Sequence, residues 1–128
     1  MNELFQTTLT MIPARGGSKG IKDKNIKEVA GKPLIYYTLD ICKELKIKPF
    51  VSTDSSKIID SCCDYGLKVE YVRPLNLAQD NSNIYDCIID AIKWEKENNS
   101  ADYDNVMLLQ PTNPIRKKEW IIDAFKIF

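Results

Sequence analysis

The stretch Ile12-Pro13-Ala14-Arg15-Gly16-Gly17-Ser18-Lys19-Gly20-Ile21-Lys22-Asp23-Lys24-Asn25 decides how this chain reads. It continues a short apolar run, Leu9 to Ile12, that has the composition of a buried strand. Between Arg15 and Lys24 fall three glycines, one arginine and three lysines. Glycine lets the backbone turn tightly and present its N–H groups to an anion. Arginine and lysine add fixed positive charge where phosphates would sit. A strand entering a Gly-rich basic loop is a common way for α/β proteins to hold phosphates. The spacing matches neither Gly-x-x-x-x-Gly-Lys-Ser/Thr nor Gly-x-Gly-x-x-Gly, so neither the P-loop nor the dinucleotide fingerprint is met. Taken alone, the loop reads equally well as a solvated surface turn.

A second loop breaks that tie. Leu108-Leu109-Gln110-Pro111-Thr112-Asn113-Pro114-Ile115-Arg116 also follows an apolar run, Val106–Leu109. In a parallel sheet both loops leave the carboxyl edge, where open α/β folds bind ligands. The remaining pattern supports such a sheet. Helical spacing spans Pro33–Leu45, with Pro33 in the first turn. A short strand is expected at Pro49–Ser52. A helix follows, capped by Ser55 or Ser56 and closed by Gly66. Alternation over Lys68–Val72 predicts a third strand. Ser82 or Asn83 starts a helix that runs through Trp94 and breaks at Asn98-Asn99-Ser100. A last helix covers Lys117–Phe128, with Trp120, Ile121, Ala124, Phe125 and Phe128 on one face. The alternating order implies a mainly parallel sheet with crossover helices.

Bulk properties remove other classes. The 128 residues have the length of one domain. Lys+Arg and Asp+Glu both number 18, which argues against a general nucleic-acid or membrane-surface binder. There is no histidine, so a Ser-His-Asp mechanism is excluded. Cys42, Cys62, Cys63 and Cys87 form no Cys-x-x-Cys pair and read as thiols in a reducing compartment, with Cys63 nearest the surface. The start, Met1-Asn2-Glu3-Leu4-Phe5-Gln6, has no basic, apolar signal pattern, and a cytoplasmic location is expected. The apolar finish of the last helix suggests the N-terminal part of a longer protein.

Five motifs in order resemble the cytidylyltransferases of the CMP-sialic acid synthetase type. They are Ile12–Gly20 with Lys24-Asn25; Gly31-Lys32-Pro33-Leu34; Val51-Ser52-Thr53-Asp54; Arg73-Pro74-x-x-Leu77-Ala78-x-Asp80; and Leu108–Arg116. The resemblance runs from about Met11 to the end. It implies a Rossmann-like three-layer α/β sandwich of the nucleotide-diphospho-sugar transferase type. It makes residues 1–128 a single nucleotide-binding domain. The implied reaction transfers CMP from CTP to a nine-carbon 2-keto sugar acid of N-acetylneuraminate or legionaminate type, releasing pyrophosphate. By that resemblance Arg15 and Lys24 form a catalytic phosphate clamp. Ala14, Gly16, Gly17, Ser18, Lys19, Asn25, Arg73 and Ser82 bind CTP, the glycine and Ser18 backbone offering N–H donors, Asn25 the ribose contact, and Arg73 with Ser82 the cytosine side. Gln110 faces the sugar acid. Magnesium or another divalent cation bridges triphosphate oxygens, with no ligand in this chain assigned to it. The partners are CTP and a sialic-acid-like sugar, and the full-length protein is expected to be a homodimer.

Rival readings stand beside these. Lys22 is taken as solvent-facing. Asp54 either binds metal or caps the following helix, the cap being preferred. Asp80 either caps the next helix or binds ligand. Arg116 is expected to brace its loop. Asp90 is read as a solvated helix position, with Asp86 left open. Trp94, Trp120, Phe125 and Phe128 are read as core or interface packing. Position 84 is Ile where some relatives carry a polar base contact, and Asn113 stands where serine is common. The family's downstream metal-binding aspartates are not among these residues. A nucleotide-binding module without turnover, or a nucleotidyltransferase for another sugar or NTP, is the alternative.

Overall fold

A computed structural model describes residues 2–17 and 23–127, so Ser18, Lys19, Lys22 and Phe128 lie outside the described residues. Strand β1, Thr8–Pro13, is buried along its whole length. It lies between β4, Phe50–Ser52, and β5, Asn105–Leu108, in a three-stranded sheet of order β4-β1-β5. Both pairings are parallel, with Ile12 opposite Val51 and Leu9 opposite Val106. A strand covered on both faces buries every residue, and here Thr8 and Thr10 are buried along with Leu9, Met11 and Ile12.

The parity of each strand sorts its side chains between two cores. Ile12 and Val51 join Ile35, Leu39, Cys42, Ile58, Cys62, Ile121 and Phe125 on one face. Leu9, Met11 and Phe50 join Tyr71, Cys87 and Ala91 on the other. The first face is therefore covered by α2 (Leu34–Glu44), α3 (Ser56–Tyr65) and α5 (Lys118–Ile127), the second by α4 (Ile84–Asn99). The expected three-layer α/β sandwich is what forms.

Local signals place the helix ends. Ser55 Oγ accepts from Ile58 N at 3.4 Å, and Gly66 closes α3 in the left-handed region at φ 106°. Gly66 N–H donates to Cys63 O and Leu67 N–H to Cys62 O, which satisfies the last carbonyls. Asn83 Oδ1 accepts from Tyr85 N at 2.8 Å and starts α4. That helix continues to Asn99, where Ser100 turns at φ 51°. Pro33 precedes rather than opens the first turn of α2.

Three features depart from the sequence reading. Lys68–Val72 forms no ladder. It keeps its alternation, with Tyr71 buried and Lys68, Glu70 and Val72 exposed, and is tied to the β4 side through Arg73 N–H to Thr53 O at 2.8 Å. Alternation reports one-sided burial, and that is what the segment has, without paired donors. A small hairpin also appears, β2 (Glu28–Val29) against β3 (Lys32–Pro33), turning through Ala30 and Gly31, both at positive φ. Finally, α1, Asn2–Gln6, covers part of the last helix. The Phe5 and Phe125 rings meet edge-on, 4.3 Å between centroids. Ile121 and Phe125 are buried in the core, and Trp120 remains exposed.

Candidate active site

The chain leaves β1 toward β4 on one side and later returns to β5 on the other. Connections that depart in opposite directions open a crevice at the carboxyl ends of the strands. A cleft of about 230 Å³ lies there, with walls from three segments. Pro13, Arg15, Lys24 and Asn25 come from the end of β1 and the loop after it. Arg73, Gln79, Asp80 and Ser82 come from the segment between β4 and α4. Gln110 and Thr112 follow β5. Six residues singled out from sequence are thus gathered: Arg15, Lys24, Asn25, Arg73, Ser82 and Gln110. Among the described charged groups of this cleft, three are cations and one, Asp80, is a carboxylate. That imbalance suits a polyanion.

The β1 loop is held in place by specific bonds. Ala14 is buried, and its N–H extends the parallel pairing to Ser52 O at 2.9 Å. Gly16 N–H donates to Asp54 Oδ1 at 2.8 Å. A Cβ on Gly16 would stand 2.7 Å from Ser55 Cβ, so only glycine fits against the start of α3. Asn25 is buried and donates from Nδ2 to Arg15 O at 3.1 Å. Arg15 Nη1 donates to Gly17 O and pairs with Asp80 Oδ1 at 2.7 Å.

These contacts revise two readings. Asp54 does not cap α3; Ser55 does, and Asp54 fixes the glycine loop instead. Asp80 does not cap α4, because Asn83 holds that position; it forms the pair with Arg15. The Gly16 N–H is therefore used to hold the loop on Asp54.

Arg73 is only 5% exposed. Its Nε donates to Ser52 Oγ and its Nη2 to Ser52 O, both at 2.9 Å, and Nη1 reaches Leu77 O at 3.4 Å. The guanidinium therefore fastens the 73–82 segment to the end of β4. Ser82 Oγ accepts from Gln79 N at 2.8 Å and donates to Asn76 O at 3.2 Å, while Gln79 Nε2 donates to Leu75 O at 2.7 Å. The segment is self-bonded. On the opposite side, Arg116 donates to Gln110 O at 3.0 Å and to Thr38 Oγ1 at 3.3 Å, bracing the loop as expected. Burial lowers the Arg116 pKa.

Sequence reasoning missed the participation of Gln79, Thr112 and Cys87 in the cleft wall, while Ile84, noted as standing where some relatives carry a base contact, does line it. Gln79 and Thr112 sit inside quoted motifs, which was the available signal. Cys87 was read as core, and it is both buried and cleft-lining. Asp90 is not merely solvated: it accepts from Tyr71 OH at 2.5 Å. Burial, and then that hydrogen bond, raise the Tyr71 pKa. Trp94 packs with Phe50 and Tyr71 in the core, as expected.

Comparison with known proteins agrees with this geometry. The chain is 40% identical over 125 residues to the CMP-N,N'-diacetyllegionaminic acid synthase of Legionella pneumophila, covering 93% of this chain and 52% of that protein. It is 36% identical over 124 residues to an N-acylneuraminate cytidylyltransferase of Streptococcus agalactiae, covering 94% of this chain and 29% of the relative. The chain thus spans about half, or less, of these relatives' length. A solved CMP:2-keto-3-deoxy-manno-octonic acid synthetase, complexed with CTP, superposes with TM-score 0.74 at 19% identity, over 93% of this chain and 46% of that one, a likeness of fold. The family model described as Cytidylyltransferase matches residues 9–126. A match over nearly the whole chain, on the same strand-end loops that build the cleft, means that this chain belongs to the cytidylyltransferase family.

Proposed function

We propose that the protein transfers CMP from CTP to a nine-carbon 2-keto sugar acid of the N-acetylneuraminate or legionaminate type, releasing pyrophosphate. One observation carries the reading: Arg15, Lys24, Asn25, Arg73, Ser82 and Gln110, drawn from three separate segments, line a single cleft at the carboxyl edge of a parallel sheet. In the proposed reaction the anomeric hydroxyl of the sugar attacks the α-phosphorus. An oxygen–phosphorus bond forms, the bond to the β-phosphate oxygen breaks, and the hydroxyl proton passes to solvent. Negative charge grows on the departing pyrophosphate. Arg15 and Lys24 offset that charge, which acts most strongly in the transition state. Asn25, anchored through Arg15 O, orients the ribose side. Arg73 and Ser82 hold the wall against which the base lies, and Gln110 meets the sugar acid across the cleft.

Magnesium enters the proposal as a companion of the triphosphate, neutralising its oxygens. The residues described here do not form a cage for it. Among them no group of three or more His, Cys, Asp or Glu side chains stands together, and Asp80 is engaged by Arg15. The same proposal places the enzyme in the cytoplasm, in keeping with four unpaired thiols. It also has a second copy cover Trp120 and Ile127, which are 56% and 87% exposed on α5. Among the described residues no helix is long and apolar enough to cross a membrane.

A pyrophosphate-release assay with CTP, magnesium and a panel of sugar acids tests the reaction. Neuraminate- or legionaminate-type acids should give release and an octonic acid much less. CTP binding without release on any acid would favour a nucleotide-binding module instead.

A further inference from the structure

The Arg15–Asp80 pair is the tie across the cleft, and it places a carboxylate on the cation best situated for a phosphate. The segment carrying Asp80 is otherwise bonded to itself and to its own side. Ser82 bonds to Gln79 N and Asn76 O, and Gln79 to Leu75 O. Cys87 Sγ donates to Leu77 O at 3.3 Å, and Arg73 secures the root of the segment on Ser52. Among the described residues, the carboxylate of Asp80 is the side chain of this segment that bonds to the β1 loop. Its own exposure, 57%, leaves it free to move away without disturbing the core. Arg15 is the more confined partner at 27%, with Nη1 also donating to Gly17 O.

We propose that Asp80 is an electrostatic latch, a stand-in anion that holds Arg15 and the cleft wall together until a polyphosphate displaces it. The idea rests on the phosphate role given to Arg15 above. When a triphosphate takes over Arg15, Asp80 loses its partner and faces a second anion at close range. Both effects oppose binding, so Asp80 sets how tightly nucleotide and product pyrophosphate are held. A carboxylate here weakens the ground-state complex and speeds pyrophosphate departure.

The test is titration calorimetry of the purified protein with inorganic tripolyphosphate in EDTA, so that metal retention plays no part. Asp80→Asn and Asp80→Ala should both bind about five- to tenfold more tightly than the parent, from the lost pair and the relieved repulsion. Arg15→Ala should lose most of the binding. Circular dichroism confirms that the variants are folded. Unchanged or weaker binding by folded Asp80 variants, while Arg15→Ala still loses binding, overturns the latch and leaves the phosphate site standing. If Arg15→Ala binds as the parent does, the phosphate reading itself falls, and the latch with it.

Discussion

At the scale of single residues, Lys24 and Gly16 carry the sharpest expectations. Lys24 lines the cleft in a short 3-10 turn, Lys24–Ile26, while Lys27, three residues on, is exposed outside it. Lys24→Ala should lower kcat by on the order of 10²-fold, because it removes charge matched to the leaving group. Lys27→Ala should stay within about twofold of the parent, a surface lysine acting only through screened charge. Steady-state kinetics decides, and equal effects would mean the loop is misread. Gly16→Ala drives a Cβ to 2.7 Å from Ser55 Cβ, backed by the start of α3. It should cost about 1–3 kcal/mol and lower Tm by several degrees. Ser55→Gly in the same chain should recover part of that loss in thermal melts. Arg15, Lys24, Asn25 and Gln110 were legible because each stands in a motif that follows a strand, whereas Arg73 opens a motif in the segment before α4 and Ser82 lies just beyond that motif, next to the start of the helix. What each side chain bonds to was not. Asp80 meets Arg15 across 65 positions of sequence only because two loops converge in space.

At the scale of elements, helices with capping residues were legible and short elements were not. Ser55, Gly66 and Asn83 mark their helix ends by local hydrogen bonds that any sequence window contains. The helix Asn2–Gln6 has too few residues for a periodic signal, yet it covers Phe125. The hairpin at Ala30-Gly31 was hidden by strands of two residues each. It is fastened to α2 through Lys32 Nζ and Asp40 Oδ2 at 2.5 Å, and Asp40 Oδ1 accepts from Tyr65 OH at 2.7 Å. Burial by itself would raise the Asp40 carboxyl, but these bonds outweigh it and hold its pKa below 3.8. The seam between α2 and α3 yields a pH prediction. Burial pushes the Cys42 thiol up to about 12 and the Cys62 thiol up to about 11, from an ordinary 9.0. The unfolded chain therefore loses these protons before the folded one does. Stability is fully present below pH 9 and falls as pH rises through 11 to 12. Urea unfolding from pH 9 to 12 should show the decline, and Cys62→Ala should lessen it while the Cys42 contribution remains. A flat parent profile would contradict the buried placement.

At the scale of the whole molecule, the order of strands and helices was readable from periodicity, and the sheet order was not. Periodicity gives β and α in sequence; that β1 lies between β4 and β5 depends on which crossover goes to which side. That choice opens the crevice and brings the loop after β5 opposite the loop after β1. In the segment Lys68–Val72 burial alternates without a ladder, because one-sided packing produces the same pattern as strand pairing. The proposed self-association belongs to this scale too. Light scattering should show a dimer for the protein, and Trp120→Glu should shift it toward monomer with its circular dichroism unchanged. A monodisperse monomer in the parent would remove the dimer from the account.

In the proposed function this cleft holds CTP by its triphosphate and by its base. Calorimetry with CTP, UTP, ATP and GTP, on the parent and on Arg15→Ala, tests it most directly. CTP should bind the parent most tightly, with at least a several-fold margin, and Arg15→Ala should lose affinity for every nucleotide alike. Equal affinity for all four nucleotides, or binding untouched by loss of Arg15, would contradict it.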